Sequence, residues 1–233
     1  MFEVKNVFIG ALLILNKFTI FNIKFYSETD DMDYSFGVFL LPILGLLIGF
    51  ATIIISLLKF LYDPMFIGAL LLTFYFVITK SVNITSTYKT IETFIQQKNK
   101  NSQLLSIISL MIICIFYFVM FSVLSARAII LMPLVGYSNL LILSYFIKRN
   151  KENTQLLKYC TKSHSIFAFL FSFIITIIIS YKSTIALSLT YILSAIAMNF
   201  IDAKIKKLPS SIEGFIIEIT QLLFLLLSYL LFI

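Results

Sequence analysis

The stretch that decides the reading runs Thr79-Lys80-Ser81-Val82-Asn83-Ile84-Thr85-Ser86-Thr87-Tyr88-Lys89-Thr90-Ile91-Glu92-Thr93-Phe94. A Gln/Lys/Asn/Ser run then follows to Gln103. It is the first long polar break in a chain that is otherwise mostly apolar, and apolar segments lead into it and out of it. Chemistry carried by this chain is expected here.

The surroundings of that break set the class. Of 233 residues, 60% are hydrophobic and 12% charged, with a mean hydropathy of +1.02. A soluble domain carries about 25% charged residues, so the apolar excess has no soluble core to fill. Apolar runs of about 20 residues imply helices, because backbone groups in lipid must be satisfied within their own segment. The expectation is an all-α, polytopic transmembrane bundle formed by residues 1–233 as one membrane domain. The net charge of +7 is read as loops held on one side of a membrane and not as a nucleic-acid surface. Cys114 sits in an apolar run and Cys160 in a basic loop, which gives neither a disulfide framework nor a CxxC metal pair. The lone His164 lacks the N and S partners that a zinc site needs.

Before the break, Val7–Leu15 is apolar but too short to span, and is read as interfacial or re-entrant. Asn16-Lys17 follows it, with no small-residue cleavage pattern. Glu28, Asp30, Asp31 and Asp33 form an acidic cluster without calcium-loop spacing, read as a solvated loop. Val38–Leu58 is the first clear span, and its Gly45 and Gly49 form a small-xxx-small pair that admits another helix closely. Met65–Ile78 is a short second span. Beyond the break, spans are expected over 104–124, 128–147, 166–180, 183–201 and 214–233, for a total of about seven.

Charge placement tests that count. Fifteen of the eighteen basic residues fall in the N-terminal segment 1–37 and in loops 79–103, 148–165 and 202–213; only Lys59, Arg127 and Lys182 fall elsewhere. The positive-inside rule then puts the N-terminus and all the long loops in the cytoplasm, so a site built from them would meet cytoplasmic substrates.

Three features of these segments can carry chemistry. Thr85, Lys89 and Glu92 stand at i, i+4 and i+7 and share a face if the stretch is helical. Glu92 is then either a Mg²⁺ ligand against a pyrophosphate or half of a surface pair with Lys89. Glu218 lies a turn inside the last span beside Gln221, where an ionisable residue is a functional candidate or a snorkelling carboxyl. Arg127 stands between two spans and is read as a lipid-headgroup contact.

The chain resembles the cobalamin synthase family, adenosylcobinamide-GDP ribazoletransferase, nearly end to end. The family's Pro-x-x-Gly-x-x-x-Gly signature is matched by Pro42, Gly45 and Gly49. Its motif Gly-Gly-x-His-x-Asp-Gly-x-x-Asp-Thr-x-Asp-Gly falls on the polar stretch. Asn83 stands for the His, Thr85 and Lys89 for the first two Asp residues, Thr90 keeps the Thr, and Glu92 replaces the third Asp. Ser125-Ala126-Arg127 looks like the Ser/Ala-Arg pair of a middle span. Ser210-Ser211-Ile212-Glu213-Gly214 resembles Gly-Asp-x-x-Gly with Ser211 in the Asp position, ahead of Glu218-Ile219-Thr220-Gln221. The family's Lys-Asp-Ser segment has no counterpart.

The resemblance implies a multi-pass enzyme of the bacterial cytoplasmic membrane that uses Mg²⁺. It would join adenosylcobinamide-GDP to α-ribazole or its 5′-phosphate and release GMP. By motif position, Glu92 and Glu218 would be catalytic, Glu92 the metal ligand, and Asn83, Thr85, Lys89, Ser211 and Gly214 substrate-binding. Membrane lipid, the corrinoid nucleotide and α-ribazole are the partners implied. Lys89 opposes the metal: at about 6 Å and an effective dielectric of 20, each unit charge costs roughly 2–3 kcal/mol, doubled for a dication. An inactive relative serving as a membrane binding or assembly partner is the second expectation. A small transporter is the third, with no internal repeat and no chain of intramembrane charges to support it.

Overall fold

The computed structural model describes residues 4–24, 29–96, 101–147, 154–204 and 208–231. Glu28 of the acidic cluster and the basic residues Lys98, Lys100, Lys148, Arg149, Lys151, Lys206 and Lys207 lie outside the described residues. Among the described residues the fold is helical with no strand. The chain forms α1 (Val4–Phe18), α2 (Asp31–Phe39), α3 (Leu41–Ala51), α4 (Ile53–Leu57), α5 (Pro64–Ile78) and α6 (Val82–Gln96). It continues with α7 (Ser102–Val123), α8 (Ala126–Phe146), α9 (Lys162–Ser180), α10 (Ser183–Lys204) and α11 (Ile212–Leu230).

Among the described residues six helical segments are long and apolar enough to cross a membrane, or up to seven if α5 and α6 count as one bent span. The expected first span breaks near residues 40 and 52, and Leu41–Phe60 is the part that meets the length requirement. The short second span corresponds to α5, whose 15 residues reach about 22 Å at 1.5 Å each, less than a hydrocarbon core of about 30 Å. Asp63 caps it, its Oδ1 accepting the Met65 and Phe66 N–H groups at 2.9 and 3.0 Å, with Pro64 at the first helical position.

The polar stretch is the main departure from the expected loops. Its first part is a helix, α6, set at 86° to α5. Lys80 and Ser81 make the bend with φ of 55° and 52°, the left-handed region that L residues rarely occupy. Their N–H groups donate back to the Val77 and Phe76 carbonyls at 3.0 and 2.9 Å, which closes the end of α5 and points α6 away from its axis.

The bundle is organised around α8. In its most apolar window 83% of the residues are buried, against 28% for α7, α9 and α10, whose remaining faces carry exposed Ile, Leu and Phe suited to lipid. The signature Pro42-Gly45-Gly49 makes the tightest of its contacts. A Cβ at Gly45 would lie 2.6 Å from the Pro133 carbonyl oxygen, and one at Gly49 2.0 Å from that of Ile130. The two glycines therefore let α3 lie directly on α8, as the small-xxx-small spacing implies. Asn139 ties α8 to α10 and α11 by donating to Ser194 Oγ and Thr220 Oγ1 at 2.8 Å each.

The apolar N-terminal segment is a packed helix. Ile9, Leu12, Ile14 and Phe18 of α1 are buried, and the Phe18 ring meets Tyr137 edge-on at 5.3 Å. The acidic cluster that follows starts α2. Asp33 reaches back to accept the Asp30 N–H at 2.9 Å, and acids in a first helical turn complement the helix dipole.

Candidate functional site

Four segments that are far apart in sequence meet at one cavity of about 290 Å³. The end of α1 supplies Lys17 and Phe18, and the first turns of α6 supply Val82, Asn83, Ser86 and Lys89. Gln155 comes from the segment before α9, and Ser210, Ser211, Glu213 and Gly214 from the start of α11. These fall in the same four lysine-bearing segments that the sequence groups together by charge. A second cavity, of about 370 Å³, shares Lys17 and Gln155 with the first. Tyr34 stacked on Tyr159 at 5.2 Å and Lys158, whose Nζ lies 4.6 Å above the Tyr159 ring, line it.

The walls are held by contacts that sequence spacing does not announce. Gly214 lets α11 touch α6: a Cβ there would sit 2.5 Å from Ser86 Cβ and 3.0 Å from Asn83 Cα. Thr90 and Ser211 hydroxyls meet at 2.8 Å across the same seam. Asn83 is buried and donates its Nδ2 to Tyr137 Oη at 3.0 Å, while its Oδ1 has no partner among the described residues. Glu213 is a clip. Its Oε1 accepts the Leu156 and Leu157 N–H groups at 2.5 and 3.1 Å, and its Oε2 pairs with Lys17 Nζ at 3.3 Å. Burial pulls the Lys17 ammonium below the ordinary lysine range, and the charge and hydrogen bond of Glu213 partly restore it.

The residues expected at the site divide. Asn83, Lys89, Ser211 and Gly214 line the cavity; Thr85, Glu92 and Glu218 do not. The face read from Thr85, Lys89 and Glu92 is offset from the one that packs. Asn83, Thr87 and Thr90 are buried, while Thr85 and Lys89 are exposed and Glu92 is half-buried. Lys17, Ser86, Gln155 and Glu213 are the residues that spacing missed. A polar residue on the buried face of an amphipathic helix, as at Asn83 and Thr87, was the available signal.

Glu218 is deep in the bundle, 1% exposed. Its Oε1 lies 2.9 Å from Tyr75 Oη and its Oε2 2.5 Å from Tyr117 Oη. Both phenols also approach Gln221 Oε1, at 2.5 and 3.0 Å, and Gln221 Nε2 has no partner among the described residues. Two phenol protons serve two acceptors, and the carboxylate takes both. The arrangement closes when the Gln221 amide is turned over, so that Nε2 gives one N–H to each phenol oxygen.

A family model described as cobalamin-5-phosphate synthase matches residues 10–229. The chain belongs to that family. No curated protein and no solved structure matches it. As a member of the cobalamin-5-phosphate synthase family, the chain takes part in cobalamin synthesis as a protein of membrane-crossing helices, consistent with a corrinoid substrate.

The Mg²⁺ expected from the resemblance can be tested against the donors present. Among the described residues no three His, Cys, Asp or Glu side chains gather as a metal-holding group. Glu213 is the one carboxylate on the cavity among the described residues, and two N–H groups and an ammonium already occupy it. Magnesium asks for one or two carboxylates with near-octahedral geometry, and Lys17 and Lys89 repel a dication. The described cavity residues do not fit Mg²⁺.

Proposed function

We propose that this chain works at the nucleotide-joining step of cobalamin synthesis, as an adenosylcobinamide-GDP ribazoletransferase with its active site at the α1–α6–α11 cavity. The observation that carries the reading is the convergence of the motif positions Asn83, Lys89, Ser211 and Gly214 on one cavity in a chain matched by the family model over residues 10–229. The positive-inside rule puts that cavity on the cytoplasmic side of the bacterial membrane. The neighbouring cavity around Tyr34 and Tyr159 gives a large substrate further room.

In the proposed reaction a hydroxyl of α-ribazole, or of its 5′-phosphate, attacks the phosphorus nearest the corrinoid. A P–O bond forms, the bridging P–O bond breaks, GMP leaves with the electron pair, and the hydroxyl proton passes to water. Lys17 and Lys89 offer N–H donors to the phosphoryl oxygens, where charge grows as the bridge breaks. Gly214 keeps the start of α11 against α6 at the cavity wall.

The experiment is a transfer assay on membranes containing the expressed chain, with adenosylcobinamide-GDP and α-ribazole 5′-phosphate, with and without Mg²⁺. GMP and a joined corrinoid product are expected, and Lys89→Ala should reduce both at least tenfold. Bound corrinoid nucleotide with no GMP release overturns the transferase reading and leaves a binding member of the family.

A further inference from the structure

The charge inventory of the cavity points to one ligand chemistry. Lys17 contributes an ammonium with three donors, one of them spent on Glu213. Lys89 contributes a second, exposed ammonium with no hydrogen bond or ion pair among the described residues. The carboxylate of Glu213 is turned to Lys17 and the 156–157 backbone, so it does not pair with Lys89. The first turns of two 15- and 19-residue helices, α6 and α11, supply Val82, Asn83, Glu213 and Gly214 to the same walls. Helix N-termini favour negative charge through their unpaired N–H groups and dipole. Asn83 is buried with its Oδ1 unpartnered among the described residues and its Nδ2 on Tyr137 Oη; with the amide turned over, Oδ1 accepts from Tyr137 and Nδ2 becomes free to donate to an anion.

We propose that this cavity binds a soluble phosphate or pyrophosphate group directly on Lys17, Lys89 and the two helix starts, with no divalent cation between protein and anion. The proposal deepens the functional reading above, because it says how the same cavity holds its phosphate-bearing substrate. Lysine here does what a dication does in an acidic site. It screens the repulsion among phosphoryl oxygens, and it remains attached to the chain.

The test uses the full chain in nanodiscs of neutral lipid, with inorganic pyrophosphate as the probe and binding followed by calorimetry. Saturable binding in EDTA is expected, little changed by added Mg²⁺. Lys89→Ala should weaken it at least tenfold, and Lys89→Arg should keep most of it. Lys89 is exposed, so its variants fold, and their elution and thermal unfolding should match the parent. Binding that appears only with Mg²⁺, or that Lys89→Ala leaves unchanged, overturns the proposal. Replacing part of the neutral lipid by phosphatidylglycerol separates the two sources of phosphate. Unchanged pyrophosphate affinity supports a soluble ligand, and loss of binding assigns the cavity to a lipid headgroup and overturns it. Binding in EDTA without GMP release would sink the transferase reading alone. GMP release with Mg²⁺-dependent pyrophosphate binding would sink this inference alone.

Discussion

Two buried carboxylates stand five residues apart on α11, and the chain treats them in opposite ways. Glu213, at the helix start, meets an ammonium and two backbone N–H groups. Glu218, about 7.5 Å further along the axis, meets two phenols that also reach the Gln221 amide, with no cation among the described residues. The difference follows from depth. At the mouth, Lys17 runs back from α1 with a quarter of its side chain still exposed. Inside the span a cation would have to be desolvated as well, so neutral donors are the cheaper partners. One acid thus joins three chain segments around the cavity, and the other locks α5, α7 and α11 together behind it.

The sharpest way to break the contrast is Glu218→Ala. It removes the acceptor of two fully buried phenols, Tyr75 and Tyr117, and leaves a void. Each unsatisfied donor costs roughly 1–3 kcal/mol, and the void adds to that, so a loss of about 3–5 kcal/mol is expected in unfolding of the detergent-solubilised protein. Glu218→Gln should cost much less, since its carbonyl still accepts one phenol. If both variants fall equally, the charge matters more than the hydrogen bonds, and a carboxyl held by neutral donors is the wrong description.

A smaller effect should follow from Gly136→Ala, which leaves the acid untouched. A Cβ there would lie 2.6 Å from Gln221 Cγ. The added methyl pushes Gln221 off the two phenols, at about 1–3 kcal/mol for an overpacked site. The change should be smaller in a Gln221→Ala background, because the methyl then has room. Equal losses in both backgrounds would mean that Gly136 matters for backbone approach and not for the amide.

These two acids also show how far the sequence could be read. The helices were legible because lipid-length apolar runs leave few other folds, and Gly45 and Gly49 announced their contact by spacing alone. Glu218 was visible as an acid inside a span, but its partners come from α5 and α7, which hydropathy orders along the chain and not around the bundle. Glu213 falls within a motif yet carries no separate signal in the sequence, because its partners are a lysine 196 residues away and two backbone N–H groups. The polar stretch was legible as a break in the apolar pattern, and part of it lines a cavity. Its packed face was missed because Thr85, Lys89 and Glu92 repeat with the same period as Asn83, Thr87 and Thr90, and periodicity alone does not say which face turns inward.

The clip at Glu213 should give the smallest effects and the clearest signature of charge. In a double-mutant cycle with Lys17→Met and Glu213→Gln, a coupling of about 1 kcal/mol is expected, because Lys17 is partly exposed and solvent screens the pair. Added salt should reduce it. The pH dependence has a definite sign. Lys17 is held below the ordinary lysine range in the folded chain, with burial the larger cause, so over that alkaline window the unfolded chain binds more protons. Stability contributed by this group therefore rises with pH from the folded value up to the ordinary lysine value, and it is lost again as pH falls. Lys17→Met should remove that slope, whereas Glu213→Gln should steepen it, since the carboxylate is what opposes the burial. A slope that persists in Lys17→Met would belong to another group and would leave the clip with no role in the alkaline range.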